Sequence, residues 1–289
     1  MQIKHIVING GGPTIFNAYG ALKQASNEGI WNMESVESFR GTSAGAMLSV
    51  ILALQYSWED LDDYIIKRPW QNVWQFNLLH VYDYYANKGI YGKDLFVEFY
   101  GPLFRGKDVD VSITLKEFHA IFKKAIYMYA VDIERFELVE FSHETHPDMP
   151  VIEAVRASAA LPILFEPVLY NGRVYMDGGF LLNYPFTKCA ADTETMLGVK
   201  NVYTASNTKL DKLEGIFEYL SYILNNIVDK IQMKDCGAKL KYELEISTGF
   251  IDYSTILSLA NSAAQRQHLI QCGSNDAMKS ISKFMSPNL

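Results

Sequence analysis

Gly41-Thr42-Ser43-Ala44-Gly45 is the stretch on which the reading of this chain turns. It has the form G-x-S-x-G, the pattern of a serine carried on a sharp turn from a strand into a helix. Small residues flanking Ser43 let the backbone bend tightly enough to lift the hydroxyl clear of a sheet. Glycine, lacking a Cβ, is the default residue for such a bend. The neighbours supply the context. Ser35-Val36-Glu37-Ser38-Phe39 reads as a short strand leading in, and Ala46 to Leu54 as a buried helix leading out. Strand, turn and helix make Ser43 a candidate nucleophile, with Gly41 and Gly45 supporting the turn. The competing reading is an ordinary turn in which Ser43 caps the helix.

Upstream, Ile3 to Ile8 is β-branched and alternates little, as expected for a central strand buried on both faces. It ends in Asn9-Gly10-Gly11-Gly12-Pro13-Thr14, and a helical pattern then runs from Ile15 to Asn27 and stops at Gly29. Such a loop gathers backbone N–H groups at a helix N-terminus, where negative charge is stabilised. Phosphate binding fits poorly: the P-loop pattern is absent, and Ile15 stands where a dinucleotide fingerprint has its last glycine. An oxyanion hole needs N–H donors aimed at a developing alkoxide. Pro13 has no N–H, so the donors fall to the glycines, Gly11 and Gly12 above all. A glycine turn without any ligand is the alternative.

Downstream, Ser57-Trp58-Glu59-Asp60 has the form of a capping box, and its acids with Asp62 and Asp63 read as a solvated helix N-terminus rather than metal ligands. Residues 70–104 are crowded with aromatics, among them Trp70, Trp74, Phe76, Tyr82, Tyr85 and Phe99. Most are expected in the core, and some as the lining of an apolar channel or lid. Thr114-Leu115-Lys116-Glu117 reads as a second capping box before the helix Phe118–Lys124, followed by strands at Ala125–Asp132 and Glu137–Phe141. His143-Glu144-Thr145-His146 lacks the one-turn histidine spacing of a helical zinc site and reads as a polar loop. A small-residue helix, Val151–Ala160, stops at Leu161-Pro162. A turn at Asn171-Gly172 precedes the strand Arg173–Met176, which ends in Asp177-Gly178-Gly179. A carboxylate at a strand end followed by two glycines sits where α/β sheets place their chemistry, with an Asx turn as the alternative.

The 289 residues suffice for one large α/β domain or two small ones, and 49% hydrophobic content supports a sizeable core. A net charge of −7 without a lysine/arginine block argues against nucleic acid and against polybasic membrane attraction. Cys189, Cys236 and Cys272 are scattered and odd in number, which points to a reducing compartment. With no signal peptide legible at Met1 and no apolar run long enough to span a bilayer, the expectation is a soluble intracellular protein. Beyond residue 205 the chain reads as mainly helical, with Ile216, Phe217, Leu220, Leu224, Ile227, Val228 and Ile231 on one amphipathic helix.

The glycine loop, G-x-S-x-G and Asp177-Gly178-Gly179 occur in an order and spacing that resembles the patatin-like phospholipase family of lipid acyl hydrolases. The resemblance extends to Ala157-Ser158-Ala159-Ala160-Leu161-Pro162 and to Asn183-Tyr184-Pro185, covering roughly residues 3–190. It implies a three-layer α/β/α fold with a mostly parallel central sheet over residues 1–205. Residues 206–289 would be a helical extension packed on it. It implies a Ser43–Asp177 dyad without histidine, an oxyanion loop of Gly10, Gly11 and Gly12, and Gly178 and Gly179 as supports. No metal or cofactor is implied. The substrate would be a phospholipid or other fatty-acyl ester, met at a lipid surface by transient, peripheral contact.

One departure stands out. The family loop reads G-G-G-x-[RK]-G, whereas Thr14 and Ile15 here replace its basic residue and last glycine, which favours neutral glycerides or other fatty-acyl esters as competitors of phospholipids. Three rival readings stand beside it: a Ser43–Asp177–His268 triad of α/β-hydrolase type, a catalytically silent lipid- or protein-binding scaffold and, behind both, a nucleotide-binding module suggested by Gly10–Gly12.

Overall fold

The computed structural model describes residues 2–75, 81–189, 191, 193–203, 219, 226, 240–248 and 253–285. Its strands are β1 (His5–Ile8), β2 (Ser38–Thr42), β3 (Gly89–Tyr91), β4 (Ala125–Asp132) and β5 (Glu137–Phe141), then β6 (Ile163–Phe165), β7 (Val168–Tyr170), β8 (Arg173–Asp177), β9 (Met196–Tyr203) and β10 (Tyr242–Thr248). The helices are α1 (Ile15–Asn27), α2 (Ala44–Ala53), α3 (Trp58–Asp62), α4 (Val81–Asn87) and α5 (Lys93–Arg105). They continue with α6 (Leu115–Phe122), α7 (Val151–Ala159), α8 (Tyr253–Asn261) and α9 (Ala263–Met285).

The central sheet runs β10-β9-β1-β2-β4-β8-β7, with β5 on β4. From β10 to β4 every pairing is parallel, whereas β5, β8 and β7 join antiparallel. Helices flank this mixed, mostly parallel sheet in a three-layer α/β/α arrangement. Hydrophobic runs explain the layering. In β1, Ile6, Val7 and Ile8 are buried on both faces, and all ten residues of α2 are buried.

Register brings the functional segments together. β2 pairs with β4 up to Thr42 opposite Tyr129, and β5 occupies the other edge of β4 from Met128 onward. β8 pairs with Ala130–Asp132 while β5 is still there, so β8 must continue along the edge that β2 has left. Its last residue, Asp177, lies opposite Ala130, the position next after the partner of Thr42. The residue leaving β2 and the residue ending β8 are thereby made neighbours.

Local signals account for most element ends. Thr114 caps α6 with both halves of the box formed, its Oγ1 accepting from the Glu117 N–H and the Glu117 carboxylate accepting from the Thr114 N–H. Ser57 accepts from the Asp60 N–H at α3. Asn171 and Gly172, both at positive φ, turn β7 into β8.

Three expectations shift. β2 begins at Ser38, because its ladder with β1 starts at His5 opposite Ser38, while the Ser35 hydroxyl is turned back onto the Ile3 and Asn32 carbonyls. Helix α6 begins three residues earlier than the predicted Phe118 and ends at Phe122, after which Lys123 takes a left-handed conformation. The tail also contributes a strand, β10, which pairs along β9 and extends the sheet. The amphipathic helix expected from Ile216 to Ile231 lies outside the described residues. Behind the sheet, α9 crosses α1 at very short range: a Cβ on Gly20 would come 2.0 Å from the Ile270 carbonyl oxygen, and one on Gly273 1.9 Å from that of Asn17.

Candidate active site

β1 and β2 are adjacent and parallel, so the glycine loop and the Ser43 turn leave the sheet side by side. Ser43 has φ 54° and ψ −124°, a conformation that costs a non-glycine residue on the order of 1–3 kcal/mol. Its surroundings enforce that backbone. The Ser43 N–H donates to Ser158 Oγ at 3.1 Å, and the Ser158 hydroxyl donates to the Tyr129 carbonyl at 2.6 Å. Thr42 Oγ1 donates to the Leu182 carbonyl at 2.8 Å. A Cβ on Gly41 would lie 2.3 Å from the Gly45 carbonyl carbon, and one on Gly45 2.3 Å from the Ile8 carbonyl oxygen, so the turn closes only with glycine at both positions.

Asp177 is held from three directions. Its N–H donates to the Ala160 carbonyl at 3.0 Å. Its Oδ1 accepts from the Gly179 N–H at 2.7 Å, and the carboxylate accepts from the Ser43 hydroxyl. The residue is 4% exposed. Burial pushes its carboxyl up to about 6, against the downward pull of the hydrogen bonds from Ser43 and Gly179. Gly178, Gly179 and Phe180 form a short buried 3-10 turn after it.

The three loop glycines divide in role. The Gly10 N–H is spent on the Asn183 carbonyl at 3.0 Å. The Gly10 carbonyl accepts from Asn183 Nδ2 at 3.2 Å and from Asn201 Nδ2 at 2.8 Å. Asn201 Nδ2 also reaches Thr14 Oγ1 at 3.1 Å. Gly10 is thus the pinned base of the loop, and a Cβ on it would come 3.1 Å from Ser43 Cβ. The N–H groups of Gly11 and Gly12 have no hydrogen-bond acceptor among the described residues. Thr14 is buried beneath the loop rather than presented to the site.

A cavity opens beside Ser43. It runs between Ile15, Trp70, Trp74, Phe99, Phe165 and Ile256 and is lined almost wholly by apolar side chains. The aromatic stretch therefore serves both ends expected of it. Phe96, Tyr100 and Phe104 are in the core, and Trp70, Trp74 and Phe99 line the cavity. Tyr82 and Tyr85 on α4 are exposed, and Phe76 lies outside the described residues.

His268 does not join the pair. It is exposed on α9, with Nε2 3.6 Å from Cys272 Sγ, and is not part of the cavity lining. The Asp177 carboxylate accepts from the Ser43 hydroxyl without it. His143 and His146 stand in a loop, where His143 stacks on His119 with ring centroids 3.7 Å apart. Of the early acids, Asp62 accepts from the Tyr19 hydroxyl and pairs with Lys23. No group of three or more His, Cys, Asp or Glu side chains able to hold a metal occurs among the described residues. No described helix is long and apolar enough to cross a membrane.

Asn201 and the cavity residues of α8 were not singled out in the sequence. Asn201 acts across 191 positions of chain, and no local pattern marks it. Strand β10 did carry a signal, since Leu244, Ile246 and Thr248 alternate with Glu243, Glu245 and Ser247.

Comparison with known proteins gives four findings. Residues 6–189 match the family model described as patatin-like phospholipase. The chain is 23% identical over 295 residues to an uncharacterized protein of Acanthamoeba polyphaga mimivirus, covering 99% of this chain and 96% of that one. It is 28% identical over 187 residues to a probable lipid hydrolase of Invertebrate iridescent virus 6, covering 63% of this chain and 61% of that one. The fold resembles the crystal structure of VipD from Legionella pneumophila, with a TM-score of 0.58 at 18% identity, over 98% of this chain and 67% of that one.

Proposed function

The chain belongs to the patatin-like phospholipase family of lipolytic hydrolases, and from that premise we propose that it cleaves fatty-acyl esters through a Ser43–Asp177 dyad and an acyl-enzyme. The observation that carries this reading is the buried Asp177 carboxylate, raised to about 6, accepting a hydrogen bond from a serine hydroxyl held on a strained turn. An ordinary aspartate is a weak base toward an alcohol. Burial makes this one stronger while leaving it ionised at neutral pH.

In the proposed reaction, Ser43 Oγ bonds to the ester carbonyl carbon as its proton passes to Asp177. The negative charge on the carbonyl oxygen is met by the N–H groups of Gly11 and Gly12, with Gly10 fixing the loop beneath them. Collapse breaks the bond to the alcohol, which leaves with the proton from Asp177. Water then attacks the acyl-enzyme, again giving a proton to Asp177. The second collapse frees the fatty acid and returns a proton to Ser43.

The apolar cavity supports a fatty-acyl chain as the ligand beside Ser43. Thr14 tied to Asn201, and Ile15 in the cavity wall, occupy the loop positions where the family pattern has a basic residue and a glycine. This supports neutral glycerides or simple acyl esters alongside phospholipids. Acyl release should be measured from phospholipid vesicles, a triacylglycerol emulsion and a short soluble ester, with wild type and Ser43→Ala side by side. Serine-dependent release is expected. Equal release by folded Ser43→Ala, or none by wild type together with no labelling by a fluorophosphonate, would overturn the reading.

A further inference from the structure

The family match ends at residue 189, yet the cavity beside Ser43 does not. Ile256, Leu259 and Ala260 of α8 and Arg266 of α9 complete its wall. Helix α8 packs against both the Gly12–Thr14 turn and the short 3-10 helix Trp70–Asn72, so it bridges the oxyanion loop and the aromatic wall.

Arg266 holds that bridge in place. It is 3% exposed, and it spends its N–H donors on backbone carbonyls. Nη1 donates to Ala260 at 3.1 Å and also to Leu259, both in the last turn of α8. Nε donates to Ile66 at 3.2 Å, and Nη2 to Arg68 at 3.2 Å, where the segment after α3 ends. One guanidinium thus ties the end of α8 to the end of another helical segment, and cations are favoured at helix C-termini. Ile65, one residue from this tie, lines the cavity as well.

We propose that α8, positioned by Arg266, is the chain-length-determining wall of the acyl cavity. This rests on the acyl hydrolase reading. The chemistry would come from residues 10–179, and the preference among acyl chains from residues 253–266, a segment beyond the family match. Each methylene that fits beside Ser43 should contribute about fourfold in binding, so a wall moved by two or three carbons changes the preferred ester.

The test is kcat/KM for p-nitrophenyl esters of four to sixteen carbons. Ala260→Leu adds three carbons to the wall and should cut the ratio of twelve-carbon to four-carbon turnover by tenfold or more. Ile256→Ala should move the preferred length up by two or more carbons. It decides the matter if Ala260→Leu fails to fold. Arg266→Met should broaden the length profile, with Arg266→Lys partly restoring it, whereas a merely structural role would lower all lengths alike. Profiles unchanged within twofold in folded variants, or falling uniformly, would overturn the proposal. Displacement of a fluorescent fatty acid by acids of the same lengths reads the wall without turnover. If wild type cleaves no ester and takes no fluorophosphonate label, the hydrolase reading fails while this arm still decides the role of α8: a matching shift in the tightest-bound length supports it, and no shift overturns it.

Discussion

At Asp177 a carboxylate is held at a cost to the fold that reactivity would use. Its native value of about 6 stands above the unfolded value near 4, so folding favours the protonated form. The resulting penalty is absent below about pH 4 and fully present above about pH 6. Asp177→Asn keeps one acceptor oxygen for the Gly179 N–H but removes the basic carboxylate, so it should abolish turnover. It should also raise unfolding stability by ~1–3 kcal/mol at pH 8 and by much less at pH 4.5, read from urea melts. In wild type the acid limb of kcat/KM should rise with pH through about 6, because only the ionised base can accept the proton. Ser158→Ala leaves the half-buried Ser43 N–H and the buried Tyr129 carbonyl without their partner. It should cost about 1–3 kcal/mol and lower kcat more than tenfold with a smaller change in KM. Ser43, Asp177 and the glycine loop were legible because each carries its constraint in adjacent letters: a bend, a strand end, a helix start. The division of labour among the glycines was not. It depends on Asn183 and Asn201, which meet Gly10 only after the chain has folded.

Helices and strands were legible where their ends are chemically marked. Thr114 and Glu117 announce α6, Pro13 and Gly29 bracket α1, and Asn171-Gly172 announces a hairpin. Loss of the first cap should be small: Thr114→Ala is expected to cost about 1 kcal/mol. The α1–α9 crossing is different. Gly20 and Gly273 bring main chain against main chain, so Gly20→Ala has no flexible side chain to push aside and must separate the helices. We expect a loss of about 1–3 kcal/mol in the same urea melts, with Gly273→Ala similar. Nothing in the sequence near Gly20 names its partner, because the contact spans about 250 residues. Strand β10 was missed for another reason. Its two-residue alternation is clear, but it lies in a tail whose stronger three-to-four-residue periodicity directed the reading toward helix.

At the scale of the whole molecule, the tail enters the sheet, the helical layer and the cavity. β10 covers the edge of β9, α9 covers α1, and α8 closes the wall beside Ser43. A chain ended after Tyr203 should therefore expose a long parallel edge and an apolar helix face together. Aggregation or a loose, inactive state is expected by size exclusion and circular dichroism. A soluble, active fragment would show that the first 203 residues suffice. The tail's position in the chain also has a meaning in time. A ribosome adds residues in order, and folding during synthesis begins from the N-terminal side. Ser43 and Asp177 have both been made by the time residue 177 is added, whereas Ile256, Ala260 and Arg266 are not yet synthesised. A half-made molecule thus carries the proposed Ser43–Asp177 pair without the far wall of its cavity, and the proposed acyl site is completed late in its birth.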